Sequence, residues 1–371
     1  MNTLRSVVQL ADAGLLPDSD VHSRLESVSA RYTVAVTDAV KNCINLKNLP
    51  ADPVARQFVP DERELIEGEN SLVDPIGDDV HSPVRGLVHR YPDRVLLKAT
   101  QLCPVYCRFC FRRESVGGNA ERPLSGDDFE QIFSYIAEHS EIWEVVVSGG
   151  DPLVLSDTRL HALMKGLARA PHVKVVRIHT RVPVVNPERI TNELIDALHC
   201  CNKTLFIAVH ANHSNEFSRE ARKACAKLSD AGIPLVSQTV LLRGVNDSVE
   251  ALSALMRTFV ELRISPYYLH QLDRAPGTEH FRVPIKEGQA LLRALRGTWS
   301  GLCQPDYVID LPGGYGKVSI APSYVQVNER GTGTGTGIDT GNVAEGLSIT
   351  DPFGRAHDYN EPPTHQRKGV K

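Results

Sequence analysis

The stretch RVLLKATQLCPVYCRFC, residues 94–110, decides how the rest of the chain is read. Its first seven residues hold an apolar run between charged ends and predict a buried strand over 94–100. Cys103, Cys107 and Cys110 follow within eight residues, spaced C-x3-C-x2-C. Three thiols this close cannot all pair with one another, and the spacing suits a soft metal centre at a strand end. A structural zinc site wants four protein ligands, and the motif holds no fourth Cys or His; zinc completed by a distant residue is the plainer alternative. A four-iron cluster is also usually held by four cysteines, so three leave one iron open to a small molecule. Cys43, Cys200, Cys201, Cys225 and Cys303 are scattered and read as ordinary reduced thiols.

Working outward, short β-branched runs alternate with helix-period stretches. Strands are predicted at 144–148 (EVVVS), 174–180 (KVVRIHT), 204–210 (TLFIAVH), 234–240 (PLVSQTV) and 266–272 (PYYLHQL), with helical patterns such as DDFEQIFSYIAEHS between them. That rhythm marks βαβ units and a parallel sheet. Six strands fit an incomplete barrel of the (β/α)6 kind, short of the usual eight, with an open doubly wound sheet as the alternative. The chain divides into a helical N-terminal segment at 1–85, a partial barrel at 86–300, a C-terminal Gly-rich segment at 301–328, and a tail at 329–371. The tail opens on GTGTGTGIDTGN, is poor in large apolar residues, and is expected to be disordered.

Composition removes several classes. Apolar residues are 42% and charged residues 23%, enough for a core and too apolar for wholesale disorder. Lys plus Arg is 41 against 45 for Asp plus Glu, a net charge of −4, which argues against a nucleic-acid partner. No apolar run approaches a membrane span of about 18 residues, and the N-terminus makes a poor signal peptide, so a cytoplasmic address is expected.

The cysteine spacing is that of radical S-adenosylmethionine (SAM) enzymes, and Phe109 before the last cysteine is also typical of them. The segments HRYPDRVLL, CRFCFRR, SGGDPL, RIHTRVPVVNP, HANHSNE, QTVLLRGVND, YYLHQLD and DLPGGYGK run in order between Val88 and Tyr324. Together they resemble the lysine 2,3-aminomutase family. The resemblance implies an α/β partial (β/α)6 TIM-like radical SAM barrel and a cytoplasmic isomerase. Its cofactors would be a 4Fe–4S cluster, SAM and pyridoxal 5′-phosphate (PLP). Its small-molecule substrate would be an amino acid whose amino group moves from the α to the β carbon.

The same resemblance assigns residues. Cys103, Cys107 and Cys110 would ligate the cluster. Ser148, Gly149, Gly150 and Asp151, a turn after the second strand, would meet SAM with His210 and Gln238. Lys317, in what reads as a flexible Gly-rich loop, would carry PLP, whose phosphate matches Arg90, Tyr91 and Arg94. Arg112 would pair with the substrate carboxylate, and Asp273 and Asp310 with a cation at its far end. Two carboxylates facing one pocket repel unless a cation joins them, which favours lysine over glutamate. Arginine, ornithine and the branch that makes (R)-β-lysine for elongation factor P are alternatives, and a non-enzymatic iron–sulfur sensor a distant one. A flavodoxin- or ferredoxin-type electron donor and a homo-oligomer are implied. The chain departs from the family at Tyr315, where members carry Gly, and it has no cysteine after Cys303, so no C-terminal zinc is expected.

Overall fold

The computed structural model describes residues 3–16, 22–119, 122–327 and 347–359. A short ribbon of β1 (Thr3–Leu4) and β2 (Val36–Thr37) lies in the N-terminal segment. The main sheet then runs through β3 (Leu87–Tyr91), β4 (Arg94–Thr100), β5 (Glu144–Gly149), β6 (Val175–Thr180) and β7 (Thr204–His210). It continues with β8 (Leu235–Val240), β9 (Ile264–His270), β10 (Asp306–Leu311) and β11 (Gly316–Ser319). Its strand order is β11-β10-β9-β8-β7-β6-β5-β4-β3. Strands β4 to β10 are parallel, and β3 and β11 add antiparallel edges.

A helix follows each strand from β4 to β9, which makes six β/α units, as the expected (β/α)6 barrel requires. Five of these helices begin on a hydroxyl cap. Ser125, Ser156, Thr191, Ser218 and Ser248 each accept the backbone N–H three residues on. Such a cap stabilises a helix by about 1 kcal/mol, and it fixes where each strand hands over to its helix. The apolar faces meet in one core that includes Ile207, Val209, Leu235 and Leu269. Leu10, Val36, Val40, Val54 and Phe58 join that same core, so the N-terminal segment belongs to the barrel's packing.

Three expectations need correction. The segment at 1–85 holds only short helices, such as Val7–Asp12 and His22–Arg31, interleaved with the β1–β2 ribbon and 3-10 turns; its prolines interrupt longer runs. The seventh parallel strand, β10, was hidden in the Gly-rich motif. The stretch 310–317 is a β-hairpin, with Gly313 and Gly314 at φ of 87° and 83° in its turn. Lys317 therefore sits on a strand, not in a flexible loop. The tail is not structureless throughout. β12 (Val325–Val327), β13 (Leu347–Thr350) and β14 (Ala356–Tyr359) form an antiparallel sheet. Alternating Leu347 and Ile349 pair across to the next strand, and Gly354, at φ 87°, serves the turn. The remainder of the tail lies outside the described residues.

The N-terminal segment also braces the cysteine loop. The fully buried carboxylate of Glu64 accepts from Arg108 Nε at 2.9 Å, from Arg108 Nη2 at 2.6 Å, and from Arg113 Nη2. Arg113 stacks 3.5 Å above the Tyr32 ring and donates to the carbonyls of Arg108 and Gly277. Breaking such a buried pair leaves an uncompensated charge and costs about 3–5 kcal/mol, so the cysteine loop is held firmly against this segment.

Candidate active site

A cavity of about 520 Å³ runs through the barrel interior, from Arg94, Glu144 and Asp306 at the start of their strands to Gly149, Thr180, His210 and Val240 at the C-terminal ends. Barrel enzymes place their chemistry toward the C-terminal ends. Every residue given a site role from the sequence lines the cavity, on three walls.

The first wall is the loop after β4. Cys103, Cys107 and Cys110 are free thiols facing the cavity. Burial pushes all three thiols up, Cys107 to about 11, so a thiolate here needs a cation in contact to form. The loop offers three thiols and the motif no fourth ligand, which suits a cluster, in which each thiolate takes a different iron.

The second wall is the turn after β5 with the ends of β6, β7 and β8. A Cβ at Gly149 would lie 2.3 Å from the Thr100 carbonyl oxygen, and one at Gly150 2.3 Å from that of Leu102, so only glycine fits at either position. Asp151 lines the cavity in this turn, and its carboxylate is engaged by the protein itself. Its carboxylate accepts from Thr180 Oγ1 at 2.7 Å, Arg181 N at 2.7 Å and Leu153 N at 3.1 Å, and so holds the turn in place. Ser148, His210 and Gln238 line the same wall, joined by His179, which the sequence reasoning passed over. The His179 and His210 rings meet edge to face at 5.4 Å. Nε2 of each, and Gln238 Oε1, are buried without a protein partner. Burial holds both imidazoles neutral, His210 at about 3. Buried polar atoms without partners are costly, and here they face a cavity able to take a polar ligand.

The third wall carries the charges. On β11 and β10, Lys317 stands directly opposite Asp310 in the hairpin register, so both side chains share one face. Lys317 Nζ donates to Asp310 Oδ2 and lies 3.2 Å from His270 Nδ1 on β9. Burial alone would push the Asp310 carboxyl up; the His270 hydrogen bond and the Lys317 charge outweigh it and hold the group below the usual carboxylate range. Asp273, just past β9, goes the other way. Burial and then the Asp310 charge push it up to about 7. Opposite lie Arg90, Arg94 and Arg112. Arg94 stacks 3.8 Å above the Tyr91 ring, and the Lys317 backbone N–H donates to Tyr91 Oη at 2.7 Å. That last bond spans the two edges of the sheet, β3 and β11. Arg90 and Arg112 both bond to Asp78, a residue no motif announced. The Tyr315 side chain is 84% exposed, so this departure from Gly leaves the cavity's shape alone.

The parallel barrel with three cysteines after its first strand defines a radical SAM enzyme, and the profile of the Radical SAM superfamily matches residues 97–256. The chain is 40% identical over 324 residues to the L-lysine 2,3-aminomutase of Fusobacterium nucleatum subsp. nucleatum, covering 87% of this chain and 75% of that one. With the enzyme of the same name from Acetoanaerobium sticklandii it shares 43% over 292 residues, 79% and 70% of the two chains. Glutamate 2,3-aminomutase of Clostridioides difficile is 34% identical over 301 residues, 81% and 70%. The chain belongs to the lysine 2,3-aminomutase family and is an isomerase. The family brings a 4Fe–4S cluster and SAM, and lysine 2,3-aminomutases depend on PLP. No helix among the described residues is long and apolar enough to cross a membrane.

Proposed function

We propose that this protein is a PLP-dependent radical SAM 2,3-aminomutase acting on L-lysine to give β-lysine. The observation that carries the substrate is the acid pair Asp273 and Asp310, with Lys317 as the cation beside them. Two carboxylates with one cation beside them leave this wall short of positive charge, and a substrate ammonium would supply it. Glutamate would bring a third carboxylate to the same place.

When bound, the cluster and SAM supply the radical that removes a β-hydrogen, and PLP carries the nitrogen as it migrates. The chain supplies positions. Cys103, Cys107 and Cys110 hold three irons, and the neutral His210 and Gln238, with Ser148 and the Gly149–Gly150 turn, face SAM. Arg90, Arg94 and the Tyr91 hydroxyl suit a phosphate dianion: Tyr91 accepts from Lys317 N–H and keeps its own proton to donate. Arg112 offers a planar fork to the α-carboxylate. An external one-electron donor, of flavodoxin or ferredoxin type, reduces the cluster.

The test is anaerobic reconstitution with iron, sulfide, SAM, PLP and reductant, offering lysine, arginine, ornithine, glutamate and alanine. β-Lysine as the main product is expected. A β-isomer of another amino acid, or release of 5′-deoxyadenosine with no isomer, would overturn the substrate.

The acid pair also sets a pH dependence. Only the ionised Asp273 attracts a cation, so lysine affinity is expected to rise with pH up to about 7 and then level. Below that point it falls by at most about tenfold per pH unit. Equilibrium binding between pH 6 and 8.5 checks this, and Asp273→Asn should flatten the profile.

A further inference from the structure

The segment from Asp74 to Ser82 belongs to none of the motifs that the reaction accounts for, yet it touches both the Lys317 hairpin and the arginines opposite it. Asp74 orders it by accepting the backbone N–H groups of Asp78 and Asp79, both at 2.9 Å. On one side Gly77 approaches the Lys317 hairpin so closely that a Cβ would lie 2.6 Å from Gly314 N, and His81 Nε2 is 3.1 Å from the Gly314 carbonyl oxygen. On the other side stands Asp78, only 6% exposed. Its Oδ2 accepts from Arg112 Nε at 3.0 Å and Nη2 at 2.8 Å, and its Oδ1 from Arg90 Nη2 at 3.2 Å.

One carboxylate therefore ties together two guanidiniums that the function proposed above assigns to different anions. It uses one edge of each and leaves the rest. Arg112 Nη1 takes no part in the contact, and Arg90 Nε is buried with no protein partner. An arginine left free must be ordered when its ligand arrives, which weakens binding; one already fixed by a buried carboxylate need not be. The negative charge of Asp78 opposes an incoming anion, but two guanidiniums share it, so the wall stays net positive.

We propose that Asp78 is a positioning residue: it sets Arg90 and Arg112 so that their remaining N–H groups form two separate anion sites, one for the coenzyme phosphate and one for the substrate α-carboxylate. This rests on the PLP reading above, and the test separates the two. The full-length protein, wild type, Asp78→Asn and Asp78→Glu, is titrated with PLP and with pyridoxal, which lacks the phosphate. Binding is followed by coenzyme absorbance, and attachment at Lys317 by borohydride fixation and mass spectrometry. Coenzyme-loaded protein is then titrated with L-lysine and with 1,5-diaminopentane, which lacks the carboxylate.

Asp78→Asn is expected to weaken PLP and lysine about tenfold each, the scale of a charge-assisted contact, and to leave pyridoxal and the diamine unchanged. Asp78→Glu should recover part of the loss. Equal weakening of all four ligands would reduce Asp78 to a scaffold residue, and tighter PLP binding would make it a competitor; either overturns the proposal. A wild-type protein that attaches neither PLP nor pyridoxal at Lys317 would overturn the coenzyme reading, and this proposal with it.

Discussion

Lys317→Ala is expected to abolish covalent capture of PLP and to lower isomer formation by at least about a thousandfold, because the group removed acts in concert with the rest of the site. The checks are borohydride fixation with peptide mass analysis, and product assay at saturating PLP. Iron content should stay at the wild-type level, since Lys317 is on β11 and the cysteines are on the loop after β4. The change also strips Asp310 of the cation opposite it in the hairpin. Lys317→Met, which keeps most of the side-chain volume, separates lost chemistry from lost packing. An adduct of undiminished yield on another lysine would show that the anchor has been misassigned.

Cys107→Ala should have an effect at least as large on a different readout. Iron bound after reconstitution, the cluster's visible absorbance and reductive cleavage of SAM are all expected to disappear. Two remaining thiolates cannot hold a four-iron cluster that begins with three. Cys225→Ala is the contrast. Cys225 is fully buried among core side chains, where burial pushes its thiol up to about 12, and it does not line the cavity. Its loss should leave iron and SAM cleavage intact and cost only packing. Iron retained in Cys107→Ala at the wild-type level would remove the loop from the cluster's ligand set.

Much of this was legible because the signals were local. The strands β4 to β8 announce themselves through β-branched runs, and the helices between them through helix-period stretches such as DDFEQIFSYIAEHS. The cysteine spacing needed no tertiary information. β10 was missed because Asp310 to Lys317 reads as a Gly-rich loop, whereas the glycines serve the turn of a hairpin and its ends are strands. Asp78 and His270 were missed for another reason. Their partners lie on other elements: Asp78 with Arg90 and Arg112, His270 with Lys317 and Asp310. An acid in VDPIGDD looks like any turn residue until the sheet brings two arginines to it. His179 lay inside a quoted motif, but only the cavity shows that its Nε2 has no protein partner.

The hairpin register has a consequence for how this sequence can change. Four residues, Pro312 to Tyr315, separate the paired Leu311 and Gly316. Side chains alternate faces along a strand, so parity governs which way Lys317 points. Inserting or deleting a single residue between Leu311 and Gly316, with the four-residue turn kept, would slide β11 by one place against β10, turn the amine to the outer face and strand Asp310 alone. Substitution at the exposed Tyr315 carries no such penalty. Natural drift in this turn is therefore expected to be free in spelling and strict in length, a constraint that counts residues modulo two.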